Sequence, residues 1–199
     1  MRTPQLPLCF MLFFLLTAFI PENYSEIAKW VIIQGCSLRV EGNTNVNKFN
    51  CEIANYGKPD TLLVRKSDKG NVPVKGRISL DVGQFDCHNA MMTSDLRKTL
   101  KQKQFPKLNI EFITLNRFPD LQKPDKITGN VNIELAGVTR SFDVPYSISV
   151  DSNGIIHLIG SRDINFSDFN LVPPQKLGGM IRTENRLHIE FHLRMKAVE

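Results

Sequence analysis

The side chains of this sequence that could bind a metal or turn over a substrate are its histidines, its cysteines and a few clustered carboxylates. His188 and His192 lie four residues apart in LHIEFHL. On a strand, at about 3.3 Å per residue, they are roughly 13 Å apart, too far to share one metal ion, and both are expected to face solvent. His88 follows Cys87 directly, placing a base beside a thiol, but neighbouring residues of an extended chain point to opposite faces. Asp163 and Asp168 stand close to Arg162 and could form a buried polar group at one end of the fold, with a structural ion pair or a turn as the plainer role. No G-x-S-x-G elbow, HExxH helix, phosphate loop or dinucleotide fingerprint is present. No catalytic residue, metal site or cofactor is therefore assigned, and the chain reads as a binding protein rather than an enzyme.

The four cysteines bear on the compartment. Cys9 belongs to an apolar run, Leu8 to Ile20, that follows Arg2 and stops at Pro21, which is the pattern of a secretory signal peptide; it is assigned to residues 1–28. A membrane anchor would need roughly 20 apolar residues, more than this run supplies. Export to the periplasm or the exterior leaves Cys36, Cys51 and Cys87 where disulfides persist. Cys51 and Cys87 are expected to pair, since each lies at the end of a predicted strand and a bridge would tie neighbouring strands. Three buried free thiols are the alternative.

With 199 residues, of which 42% are hydrophobic and 23% charged, the chain has the composition of one ordinary globular domain, placed over residues 30–199. A net charge of +5 raises nucleic acid as a partner. The basic residues are scattered, however, and their one cluster, Arg97, Lys98, Lys101 and Lys103, has no interleaved aromatics on which bases could stack, so it reads as the solvated face of a helix.

The elements that must position these residues are mostly strands. Leu38 and Val40 alternate with polar neighbours, as do Ile78 and Leu80, Val131 and Ile133, and Leu187, Ile189 and Phe191. Phe142, Val144, Tyr146 and Ile148 form one face of a long strand whose Pro145, lacking an N–H, suggests an edge or a bulge. Asp151-Ser152-Asn153-Gly154 supplies turn chemistry, and Leu158 lies on the return strand. Leu96 and Leu100 are spaced for one short helix, capped by Thr93 or Ser94 and stopped by Pro106. Many antiparallel strands with one apolar face each must stack as a sandwich or close as a barrel, and long strands with short turns favour a closed antiparallel β-barrel. Its large inward residues could fill the interior or line a ligand cavity.

Five runs in this order and spacing, VKGRISLDVGQF, MTSDLRKTLKQKQFPKLNIEF, ITGNVNIELAGVTRSFDVPYSI, INFSDFNL and LHIEFHL, resemble the YceI-like proteins over roughly Ser37 to Met195. Cys87 to Met92 replaces a longer charged segment of many members, so the chain resembles a cysteine-bearing subgroup. The resemblance implies an all-β, lipocalin-like barrel of about eight strands with one short α-helix, holding a polyisoprenoid, a quinone or another long-chain lipid. The inward residues named above are then the cavity wall, with Phe166 and Phe169 at its mouth or plugging one end. A homodimer is compatible with this reading. Two other classes stay open: a hydrolase or isomerase with converging polar groups inside the barrel, and an interaction module with a filled core.

Overall fold

Alternating burial along nearly every strand gives the sheet one apolar face, and that face is hidden by closing the sheet on itself. The computed structural model describes residues 26–66 and 70–198, so most of the predicted leader lies outside the described residues. Eleven strands, β1 (Ile27–Ile32), β2 (Cys36–Thr44), β3 (Lys48–Tyr56), β4 (Thr61–Arg65), β5 (Val72–Asp81), β6 (Lys107–Leu115), β7 (Asp125–Leu135), β8 (Val138–Val150), β9 (Ile155–Asn165), β10 (Gln175–Lys176) and β11 (Ile181–Val198), accompany one helix, α1 (Ala90–Thr99).

All pairings are antiparallel. The ring runs β1-β4-β5-β6-β7-β8-β9-β11 and closes where β11 returns to β1, a barrel of eight strands. Of the three strands outside this ring, β10 pairs only with β11, and the other two arise because two wall strands are broken. β1 and β2 lie end to end along one edge of β11, interrupted at Gly35, whose φ of +88° few other residues adopt. β4 and β3 pair with them in the same sequence along the wall.

The wall parts beside β5. β5 pairs with β4 only at Leu63 with Lys75 and Val64 with Val74, then continues beside β6 alone. Beyond it β3 meets only a single bridge, Glu52 to Asp86. The chain from Val82 through α1 closes that end, and the Cys51–Cys87 disulfide fastens it to β3. The expected pairing is thus present, but its placement differs: Cys51 is in the middle of β3 and Cys87 in the loop ahead of α1, so the bridge ties a strand to the helix segment.

α1 also starts earlier than its leucine spacing suggested. Its cap is Asn89, whose side chain accepts from the Met92 N–H at 3.0 Å. Thr93 is instead buried inside the helix, its hydroxyl accepting from the Cys87 N–H at 2.9 Å. Met92, Leu96 and Leu100, four residues apart, form the face laid on the barrel, and Arg97 donates to the Phe85 carbonyl at 2.8 Å.

The hairpins follow their turn residues. Ala136 and Gly137, at φ of 51° and 80°, make the two-residue turn between β7 and β8. The Asp151 carboxylate accepts from the N–H groups of Asn153 and Ile155, both at 2.9 Å, and closes the turn into β9. β8 lies inside the ring, yet β9 accompanies it only over Tyr146–Val150, so Pro145 falls where that ladder ends and no N–H is missed.

Candidate functional site

A wholly apolar cavity of about 40 Å³ lies between α1 and the barrel wall. Of the predicted wall residues, Leu38, Val40, Ile133, Leu187 and Ile189 line it. Phe85, Leu96, Leu100, Leu108, Ile110, Leu135 and Ile164 complete the lining and were not singled out as wall from sequence. The alternation of Leu108 and Ile110 carried a signal for two of them. That α1 faces inward followed from nothing but its leucine spacing.

The remaining predicted residues are distributed elsewhere. Ile78, Leu80, Val131, Val144, Ile148 and Leu158 are buried in the core without touching this cavity. Phe169 is buried beside the half-buried Phe142, their ring centres 6.1 Å apart. Phe166 lines a second, open groove of about 210 Å³ on the outer side of α1, between the β2–β3 hairpin, α1 and the Pro174–Ile181 segment. Leu96 borders both spaces, so one leucine side chain divides the groove from the interior.

Aromatic rings pack other parts of the interior. Phe191 meets Phe112 edge-on at 6.2 Å and Tyr146 at 5.7 Å, and Trp30 packs on Phe118 at 6.0 Å. The Tyr146 ring requires bare backbone on both sides. A Cβ at Gly160 would sit 2.6 Å from it, and one at Gly129 would sit 2.7 Å away. Its hydroxyl is buried without a hydrogen-bond partner among the described residues, and burial pushes its pKa well above the ordinary tyrosine value. A buried unpaired hydroxyl costs about 1–3 kcal/mol. Tyr146→Phe is therefore expected to leave chemical-denaturation stability unchanged or raise it by about 1 kcal/mol; a clear loss would mean that the hydroxyl has a partner in solution.

The polar groups form small outward clusters. His188 is exposed as expected, but Asp163 binds it at 2.8 Å and also binds Arg186. Asp163 is exposed and paired with Arg186, and the Asp168 carboxylate accepts from the Asn165 N–H at 2.7 Å, so the ion-pair and turn roles hold and no buried group with Arg162 forms. Each carboxylate is satisfied locally. Cys87 is in the disulfide and His88 is exposed beside Glu52, so no thiol and base are brought together. Cys36 is a buried free thiol, donating to the Ile33 carbonyl and accepting from the Arg194 N–H, and burial pushes its pKa up. Among the described residues no three His, Cys, Asp or Glu side chains are grouped to hold a metal ion.

His192 departs from expectation. It is half-buried, and its Nε2 stands 2.9 Å from Nδ1 of His157, whose Nε2 is 3.3 Å from the Asp151 carboxylate. The sequence pairs it only with His188, because cross-strand partners are invisible before the register is known. Burial, then the neighbouring His157 and Arg194, hold the His192 pKa below the ordinary histidine value. The unfolded chain therefore takes up this proton first on acidification. The contribution is whole above about pH 6.5 and is lost as the pH falls from there toward the depressed folded value. Melting temperature should fall on acidification through this window, and His192→Gln should flatten that part of the profile; an unchanged slope would remove His192 as its source.

No family model and no curated protein sequence matches the chain. Among solved structures, BcnA from Burkholderia cenocepacia is 15% identical, with 80% of this chain and 95% of that one aligned at a TM-score of 0.61. A polyisoprenoid binding domain from Saccharophagus degradans, implicated in plant cell wall breakdown, is 12% identical over 87% of this chain and all of that domain, at a TM-score of 0.59. The likeness is one of fold, and it is the lipocalin-like barrel expected from the sequence.

Proposed function

We propose that this chain is a YceI-like protein that carries a polyisoprenoid, or a similarly long apolar molecule such as a quinone, within its barrel beneath α1, and performs no chemistry on it. The observation that carries the reading is the lining of the cavity: twelve side chains from β2, β6, β7, β9, β11, α1 and the loop before it, every one a hydrocarbon. Such a space offers a polar substrate no hydrogen bond, whereas an apolar chain loses nothing on leaving water. The shared fold of a polyisoprenoid binding domain supports the same ligand class.

The size of the cavity sets a condition. About 40 Å³ is far below the roughly 300–1,000 Å³ of pockets that hold small-molecule ligands. Loading therefore moves α1: Leu96 and Leu100 withdraw while the disulfide holds the segment ahead of the helix. Export fits the disulfide and the apolar run before Pro21. Pairing of β1 from Ile27 onward supports a leader that ends close to the start of that strand.

The small cavity also favours a second reading, an interaction module with a filled core. Native mass spectrometry with organic extraction, on protein from a bacterial periplasm, separates the two. Carriage gives a bound isoprenoid or quinone near one equivalent, or uptake of added solanesol. A clean apo mass with no uptake supports the filled-core module.

A further inference from the structure

Among the described residues, five large hydrophobic side chains stand out as the most exposed: Val46, Met91, Val172, Leu177 and Met180, each between 64% and 78% exposed, with Ile27 next at 55%. They come from three separate segments, and those segments meet at the α1 end of the barrel. The Asn45 side chain donates to the Met180 carbonyl at 2.8 Å and its carbonyl oxygen accepts from the Arg182 N–H at 2.9 Å, which joins the β2–β3 tip to the turn before β11. Lys176 pairs with Asp95 at 2.7 Å, which joins that turn's other arm to α1. Val46 and Met91 both line the outer groove.

Nothing in the folding of this end calls for apolar tips. Leu177 has φ +51° and is followed by Gly178 and Gly179, also at positive φ, a backbone that glycine or asparagine enters at less cost than leucine. A water-exposed leucine in this strained position is the mark of a site kept for contact rather than stability. Exposed basic residues belong to the same elements. Lys48 and Arg182 are exposed on the β2–β3 and β11 side, and Lys98, Lys101 and Lys103 on the α1 side. Met91 and Lys98, seven residues apart, share one face of α1. Against these stand Glu184, which accepts from Asn43, Asp95, which Lys176 already neutralises, and the exposed Asp86, which borders the same depression as Lys98, Lys101 and Lys103.

We propose that this end of the barrel docks on the surface of a bilayer containing anionic lipids, the apolar tips entering the interface and the lysines resting among the headgroups. Protruding, separate tips suit a deformable interface better than a second protein, which would require a flat and complementary patch. Apolar side chains flanked by Lys and Arg are the composition that binds such interfaces. Docking sets the outer groove, and the Leu96 side chain behind it, against the membrane. A long-chain lipid then passes from bilayer to barrel without crossing water. The route rests on the lipid-carrying reading above; the docking surface does not.

The test is sedimentation of the full mature protein with vesicles of three parts phosphatidylcholine to one part phosphatidylglycerol, alongside solanesol uptake measured separately from these vesicles and from detergent micelles. The parent should bind the anionic vesicles and lose them as salt rises. Leu177→Ser/Met180→Ser and, independently, Lys98→Ser/Lys101→Ser/Lys103→Ser should each weaken binding by about tenfold or more at unchanged melting temperature. Uptake from vesicles should fall with it while uptake from micelles is kept. Solanesol uptake by a parent that does not sediment overturns the docking surface and leaves the carrier. Sedimentation with no uptake from either source upholds docking and overturns the carrier. A concentration-dependent dimer abolished by Leu177→Ser/Met180→Ser, without vesicle binding, overturns docking in favour of self-association.

Discussion

Replacing Cys51 and Cys87 together by alanine lowers the unfolding free energy by about 4 kcal/mol. The two residues are 36 apart in sequence, and a closed loop of that length restricts the unfolded chain by about this amount. The native state loses a restraint too, because the bridge crosses the place where β3 and β5 part, and β3 is otherwise joined to the segment before α1 by the Glu52–Asp86 bridge and the exposed His88–Glu52 contact at 3.5 Å. Hydrogen exchange should consequently accelerate most in residues 85–100, while β7, β8 and β9 change only with global stability. Equilibrium unfolding in urea measures the first effect. A loss under about 1 kcal/mol would mean that α1 is held by its apolar face alone.

The second large effect is expected at Leu96, whose side chain separates the 40 Å³ interior from the 210 Å³ groove. Leu96→Ala removes packing from both, at a cost of about 2–5 kcal/mol. If α1 is the movable roof of a lipid site, the same substitution joins the two spaces into a continuous apolar channel, and solanesol should stabilise the variant more than it stabilises the parent. The signature is thus opposite in sign for the empty and the loaded protein. Leu96→Met, which conserves volume, should cost less than about 1.5 kcal/mol and leave uptake unchanged. Thermal unfolding of both variants with and without solanesol tests this; equal losses with and without the lipid would make Leu96 a core residue only.

Much of the barrel could be read from alternation, because a half-buried strand writes its burial directly into a period of two. Leu38, Val40, Leu187 and Ile189 were assigned inward on that ground and do line the cavity. Alternation tells which face a residue occupies and not how far along the barrel it lies, so Ile78, Val144 and Ile148 look identical in sequence and pack away from the cavity. Phe85, Leu96 and Leu100 were unreadable as lining for a different reason: the gap they fill exists only because β5 leaves β4 after two paired positions. The His157–His192 contact required the register of β9 on β11, and the Asn89 cap was hidden by leucines that mark only the second and third turns of α1.

β11 serves as the seam of the ring, paired with β9 along one edge and with β2 and then β1 along the other, so that Lys29 finds its partner in Val198. A chain emerging from the ribosome meets that partner last. Until β11 is made, the outer edges of β9 and of β1 and β2 remain open and no barrel exists. Contacts between residues so distant in sequence also make folding slow once the chain is complete. The topology therefore exposes these unpaired edges to aggregation for the whole interval before β11 is made.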